Sequence, residues 1–199
     1  MITVDNRLWV PDTIAIDGPV ATGKSVVGKL LAQELRYRFL DSGIMYRALT
    51  WLSIEQGIHS RDHGSLIRLS ETSTIHVTLE QDEVFINGVE VPLETERIRI
   101  DKRVSLISQV PEIRNQLVSQ QQRLAESGRI VIVGRDIGTV VLPNAALKLY
   151  FQAPPGERTK RRYNELRARG HTVEFNHVFR DIINRDKIDT ERTHSPLKP

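Results

Sequence analysis

Residues 13–17 read Thr-Ile-Ala-Ile-Asp, a short apolar run that stops on a carboxylate and opens into a glycine-rich turn. A run of that length bounded by a turn predicts a buried strand. From Ser25 the period changes. Val27, Leu30, Leu31 and Leu35 recur at helical spacing, so a helix follows. Residues 38–41 predict a second strand, and 44–56 a second helix ending near Gly57. Residues 60–74 are polar and show no clear period. Beyond them Ile75, Val77 and Leu79 alternate with polar residues, and 84–86 and 89–91 flank Asn87-Gly88, the signal of a two-residue β-hairpin. Pro111 and Gly128 frame a further helix with Ile113, Leu117 and Leu124 on its apolar face. The β-branched run 130–133 predicts a central strand and 147–151 another. Residues 157–169 form a charged helix stopped by Gly170, and 174–189 a last helix. The order β-α-β-α, β insert, α-β-β-α-α predicts an α/β fold: a parallel sheet flanked by helices, with a small antiparallel insertion and function at the carboxyl ends of the strands.

Composition narrows the class. The chain has 199 residues, 39% of them hydrophobic, with a mean hydropathy of −0.31, which suits one soluble domain carrying an insertion. No apolar run approaches the ~20 residues of a membrane span. Residues 1–12 lack a basic start and a long apolar centre, so they read as a tail rather than a secretory signal. Cysteine is absent, which excludes disulfides, thiolate catalysis and Cys-based zinc sites and fits a cytoplasmic location. Repeats, heptads and low-complexity blocks are not evident. Net charge is only +3, yet Arg outnumbers Lys by 21 to 7. Guanidinium is a planar fork suited to phosphate, although a compositional bias would give the same count.

The position of the glycines is more specific. Gly18-Pro19-Val20-Ala21-Thr22-Gly23-Lys24-Ser25 matches G-x-x-x-x-G-K-[ST] in full, between a predicted strand and a predicted helix. This is a P-loop. Its backbone N–H groups and the helix N-terminus face a triphosphate, Lys24 reaches the β and γ oxygens, and Ser25 ligates Mg²⁺. The loop names a donor nucleotide but not the reaction. A guanine-reading N-K-x-D is missing, which weighs against a GTPase, and the length against a motor.

The acceptor must lie elsewhere. Ser42 is placed to cap the second helix, with Arg47 farther along it. Arg135-Asp136 leave the central strand between Gly134 and Gly138, where a charged pair is hard to explain structurally. Arg158, Arg161, Arg162, Glu165 and Arg169 share one face of a helix, suiting a basic lid that stabilises a migrating phosphoryl group and excludes water. A solvated face of Glu–Arg pairs is the alternative. Arg185, Asp189 and Arg192 are spaced i, i+4, i+7. Residues 156–192 hold ten basic and seven acidic residues, a mixed face that argues against a nucleic-acid module.

Together, the loop 18–25, Asp41-Ser42-Gly43-x-x-Tyr46-Arg47, the segment 134–143 (Gly-Arg-Asp-Ile-Gly-Thr-Val-Val-Leu-Pro), the Arg-rich helix, and Arg185-Asp186-x-x-Asp189-x-x-Arg192 followed by Ser195-Pro196-Leu197 resemble the bacterial cytidylate kinase family, from about residue 13 onward. The resemblance implies a P-loop NTPase three-layer α/β/α fold, with a kinase core in 13–59 and 111–199, a lid at about 154–171 and a monophosphate-binding insert in 60–110. It implies transfer of the γ-phosphate of ATP to CMP or dCMP with Mg²⁺, by a monomer. By the same resemblance, residues 18–26, including Val26, hold ATP. Arg47 and Arg135 hold the acceptor phosphate; Ser42, Asp136 and Arg185 contact the pentose; Ser105, Arg114 and Arg192 read cytosine. Lys24, Arg135, Arg158, Arg161 and Arg162 carry the catalysis. Three departures stand out. Ala21 and Val26 replace the family's usual Gly and Thr. Val133 stands where the family usually has an acidic residue that holds the metal's waters, a role Asp17 is expected to take through water. The family also continues with a further strand and helix, so the sheet is expected to lack an edge strand. A nucleotide-binding protein with weak or lost transfer, or a kinase of another small acceptor, is the alternative.

Overall fold

The computed structural model describes residues 11–79 and 83–199; most of the expected tail, residues 1–10, lies outside them. In chain order the elements are β1 (Thr13–Asp17), α1 (Lys24–Leu35), β2 (Arg38–Asp41), α2 (Gly43–Glu55), α3 (His63–Thr72), β3 (Ile75–Thr78), β4 (Glu83–Ile86), β5 (Val89–Glu90), α4 (Arg97–Ile107), α5 (Pro111–Ala125), β6 (Ile130–Gly134), a π-helical turn (Ile137–Val141), β7 (Leu147–Tyr150), α6 (Pro155–Ala168) and α7 (Phe175–Glu191).

The main sheet is parallel, in the order β2-β6-β1-β7, and β3-β4-β5 form a second, antiparallel sheet. Its two faces follow from the alternation of side chains along a strand. Ile14, Ile16, Phe39, Val131 and Val133 point to α1, where Ala32 meets them. Ala15, Leu40, Ile130 and Ile132 point the other way, into a core built with α2, α4, α5 and the small sheet. This is the three-layer arrangement the sequence predicts. Within the described residues β7 pairs on one side only.

Helix α1 departs from its sequence pattern. Leu31 and Leu35 do pack beneath it, but Val27 and Leu30 are exposed. Its buried line runs through Lys24, Gly28 and Ala32 instead. The cause is close approach: a Cβ on Gly28 would lie 2.6 Å from Val133 Cγ1 and 3.0 Å from Phe39. Small residues let the helix settle onto the sheet, and this turns the larger apolar ones outward.

Three elements, α3, α4 and the π-helical turn, have no counterpart in the sequence reading. Helix α4 buries Ile100, Val104 and Ile107 at i, i+4, i+7. The π-helical turn after β6 is held from a distance, because the Asp17 carboxylate accepts from the backbone N–H of Ile137 at 2.8 Å and of Gly138 at 2.7 Å. The polar stretch before the small sheet forms α3, capped by Asp62 accepting from Ser65 N–H. The hairpin is as expected: Asn87 and Gly88 both take positive φ, 53° and 78°, as a type I′ turn requires. Helices α6 and α7 pack as a pair through Leu166, Val178 and Ile182, and Val20 of the glycine loop joins that cluster. The helical pair therefore sits on the loop at the carboxyl end of β1. No helix among the described residues is long and apolar enough to cross a membrane.

Candidate active site

The loop between β1 and α1 turns on three residues of positive φ: Gly18 (147°), Ala21 (58°) and Gly23 (95°). A Cβ on Gly18 would collide with the Phe151 carbonyl. Helix α1 starts without a side-chain cap and with no acidic residue in its first turn, which leaves its first N–H groups to an anion. The Val26 side chain is exposed. The buried Lys24 ammonium donates to the Pro19 carbonyl (2.7 Å) and to Thr22 Oγ1 (3.3 Å). Burial, and then the nearby Arg135, pull its pKa well below the usual 10.5. Ser25 Oγ donates to Asp41 Oδ2 at 2.6 Å. A groove of about 440 Å³ lined by Pro19, Gln152, Ala153, Pro154 and Arg158 adjoins the loop.

Two lid arginines reach this loop, in different ways. Arg161 donates to the Thr22 carbonyl at 3.3 Å. Arg158 departs from the expected forward-facing fork. It is a buried clamp, donating to the carbonyls of Ala153 and Val20 and in bidentate fashion to Asp186 (3.0 and 2.5 Å). It ties the loop, α6 and α7 together. Arg162 points elsewhere, to Asp101 (2.5 Å) and Glu165 (2.8 Å).

Across from the loop lies a second cluster, built on two buried carboxylates. Asp136 accepts from Arg114 Nη2 at 2.5 Å and lies 3.7 Å from Arg192 Nη2. Asp189 on α7, 1% exposed, lies 2.8 Å from Arg135, 3.5 Å from Arg185 and 3.7 Å from Arg192. Burial pushes the Asp189 carboxyl up, but Arg135, Arg185 and Arg192 together outweigh it and hold the group below its ordinary value. Arg114 also donates to the Ser108 carbonyl (3.0 Å) and stacks over the Tyr46 ring. Burial raises the Tyr46 hydroxyl to about 12, so it stays protonated. Among the described residues four buried guanidinium nitrogens have no hydrogen-bond partner, and three of them, Arg114 Nε, Arg185 Nε and Arg192 Nη2, belong to this cluster; the fourth is Arg97 Nε. Asp189 is the hub that sequence reasoning left without a role. Its i, i+4, i+7 spacing from Arg185 to Arg192 was the available signal.

The remaining expected residues sit around this cluster. Arg47 on α2 pairs with Asp101 of α4, the same carboxylate that takes Arg162. Burial lowers the pKa of Arg185; Asp189 opposes this, and the nearby Arg135 and Arg47 add to it. Ser105 lies one turn beyond Asp101 on α4, and its carbonyl accepts from Ser108 Oγ at 3.2 Å. Ser42 stands at the N-cap of α2, but its side chain makes no capping bond: its buried hydroxyl donates to the Val133 carbonyl (3.0 Å), while Asp41 Oδ1 accepts from Gly43 N–H (3.1 Å). The Asp17 side chain turns away from α1. Asp17 follows Ile16, whose side chain points to α1, so its own side chain takes the opposite face and both its oxygens are held by backbone N–H groups. Burial raises its pKa. Val133 packs beneath α1 against Gly28.

A glycine loop opening a helix, facing a buried cluster of arginines and carboxylates beneath a helical lid, defines a P-loop phosphotransferase. More particularly, the chain belongs to the cytidylate kinase family: the model of that family, described as "Cytidylate kinase", matches residues 14–199. A cytidylate kinase of Bacillus licheniformis is 43% identical over 191 residues, covering 93% of this chain and 83% of its own. One of Pelotomaculum thermopropionicum is 41% identical over 189 residues, covering 94% and 84%. Among solved structures, a shikimate kinase from Bacteroides thetaiotaomicron matches with a TM-score of 0.45 at 14% identity, covering 88% of this chain and 78% of its own.

Proposed function

We propose that this chain transfers the γ-phosphate of ATP to CMP or dCMP, in a cleft that holds both nucleotides. The observation that carries the reading is a set of buried donors without a hydrogen-bond partner, Arg114 Nε, Arg185 Nε and Arg192 Nη2, on arginines that ion-pair with Asp136 and Asp189. Buried donors without acceptors are costly, so a cluster of them favours an acceptor-rich ligand. Cytosine offers a carbonyl and a ring nitrogen, both acceptors, to Arg114, Arg192 and Ser105. Asp136, Ser42 and Arg185 suit the pentose, and Arg47 and Arg135 the monophosphate. A wrong base would leave the same donors unpaired, which is the basis of strong discrimination.

The donor side rests on the loop 18–25, with the groove at Gln152 and Pro154 suited to the base of ATP. An oxygen of the acceptor monophosphate attacks the γ-phosphorus as the bond to the β-bridging oxygen breaks, so the reaction needs no nucleophile from the protein. Lys24 and Arg161 meet the charge at the loop. Arg47 and Arg162 must exchange Asp101 for phosphate, which couples acceptor binding to the lid. The oxygen donors Ser25 and Asp41 fit Mg²⁺, which when bound to ATP neutralises β- and γ-phosphate charge. The reading extends to a cytoplasmic monomer.

A coupled assay over nucleoside monophosphates is the test. CMP and dCMP should exceed AMP and GMP in kcat/KM by about 100-fold or more. Preference for AMP or for a non-nucleotide acceptor, with CMP inert, would sink the proposal.

A further inference from the structure

We propose that Asp41 is the positioning carboxylate of the metal site, holding the Ser25 hydroxyl so that its oxygen faces Mg²⁺. The inference rests on the reading of 18–25 as the cradle of ATP. The first support is the bond itself: Ser25 Oγ donates to Asp41 Oδ2 at 2.6 Å. With its proton committed to a carboxylate, the hydroxyl turns its lone pairs to the cation and becomes a better ligand.

The second support is the sheet register. Asp41 pairs with Val133, and Val133 with Ile16. Neighbours in register on parallel strands share a face, and this one lies under α1. At that level the face offers Asp41, Val133, Ile16 and Leu149, so among the described residues Asp41 is its only carboxylate. Val133 is spent on packing against Gly28, one turn past Ser25. Asp17, the other acid near the loop, lies on the opposite face and is held by the amides of Ile137 and Gly138.

The third support is that the cations which feel Asp41 are bonded elsewhere. Lys24 and Arg47 both feel it, yet Lys24 is bonded to Pro19 and Thr22, and Arg47 to Asp101. A carboxylate placed this way, beside a hydroxyl, with phosphates to come, is a hard-oxygen setting for Mg²⁺. It also answers the departure at Val133: the carboxylate is supplied from the neighbouring strand.

The test reads metal binding without turnover. Mn²⁺ is titrated into the protein with ATP and no acceptor, and free Mn²⁺ is followed by electron paramagnetic resonance. Asp41→Asn is the variant, since its amide oxygen can still accept from Gly43 N–H and hold the α2 cap. The expected result is unchanged thermal unfolding and metal-free ATP affinity, with Mn²⁺ affinity of the ATP complex reduced about 10-fold or more. Ser25→Ala should lose a similar factor, and the double variant little more than either alone. Equal Mn²⁺ binding by Asp41→Asn and wild type would overturn the assignment, as would a parallel loss of metal-free ATP binding. If Asp41→Asn fails to fold, Ser25→Ala with unchanged Mn²⁺ affinity overturns it equally. Wild type that binds no Mn²⁺–ATP at all would overturn the donor reading as well.

Discussion

Gly18 and Lys24 shape the loop 18–25, for reasons visible at single atoms. Gly18 combines φ 147° with a backbone carbonyl where its Cβ would be. Gly18→Ala should lower ATP affinity about 10-fold or more, equivalent to roughly 1.4 kcal/mol, as read by calorimetry. Ala21 holds φ 58°, a conformation that costs a non-glycine residue about 1–2 kcal/mol, so the loop retains strain there. For Lys24 the sign is as follows. Its pKa is lowered in the ligand-free protein by burial and then Arg135. Triphosphate oxygens would raise it, so between the two values ATP binding takes up a proton. Calorimetry in two buffers of different ionisation enthalpy should show uptake that grows as pH rises toward the ordinary lysine value; proton release would contradict this. At this scale much was legible, because the loop motif names its own residues. The partners of those residues were not. Asp41, Asp101 and Asp189 are ordinary acids in sequence, and only folding brings each to its arginine or hydroxyl.

At the scale of elements, strands β1, β2, β6 and β7 followed from apolar runs, and the hairpin from Asn87-Gly88. The face of α1 did not, because periodicity counts apolar residues and takes no account of the close approach that Gly28 allows. Helix α4 was missed although Ile100, Val104 and Ile107 mark it; its mixture of β-branched and charged residues hides the stripe. The π-helical turn could not be read locally, since the carboxylate that holds it is Asp17. Helix α7 enters the acceptor cluster through Asp189. Removing one partner of a buried ion cluster costs about 3–5 kcal/mol. Asp189→Asn should therefore destabilise the protein by roughly 3 kcal/mol in urea unfolding and raise KM for the acceptor more than for ATP. The Asp189 pKa is held low, so its stabilising contribution is full above the ordinary carboxylate value and is lost as pH falls through the lower folded one. Unfolding free energy of the variant should fall less steeply in acid than that of wild type.

Across the whole molecule, one carboxylate joins three parts. Asp101 of α4 takes Arg47 of α2 and Arg162 of α6, with Arg97 at 3.8 Å. Burial raises its pKa, but Arg47 and Arg162 hold it below the ordinary value. Helix α6 is thus tied to α2 and α4. Asp101→Asn should speed amide exchange across α6 while leaving β1 and β6 protected; unchanged α6 exchange would dismiss the tether. The central claim concerns where the γ-phosphate goes once both nucleotides are bound. Phosphorus NMR of ATP and CMP mixed with the protein and Mg²⁺ follows it directly. The account predicts ADP and CDP appearing in equal amounts, with no inorganic phosphate beyond the rate without enzyme. Inorganic phosphate in place of CDP, or ATP and CMP left intact, would contradict it.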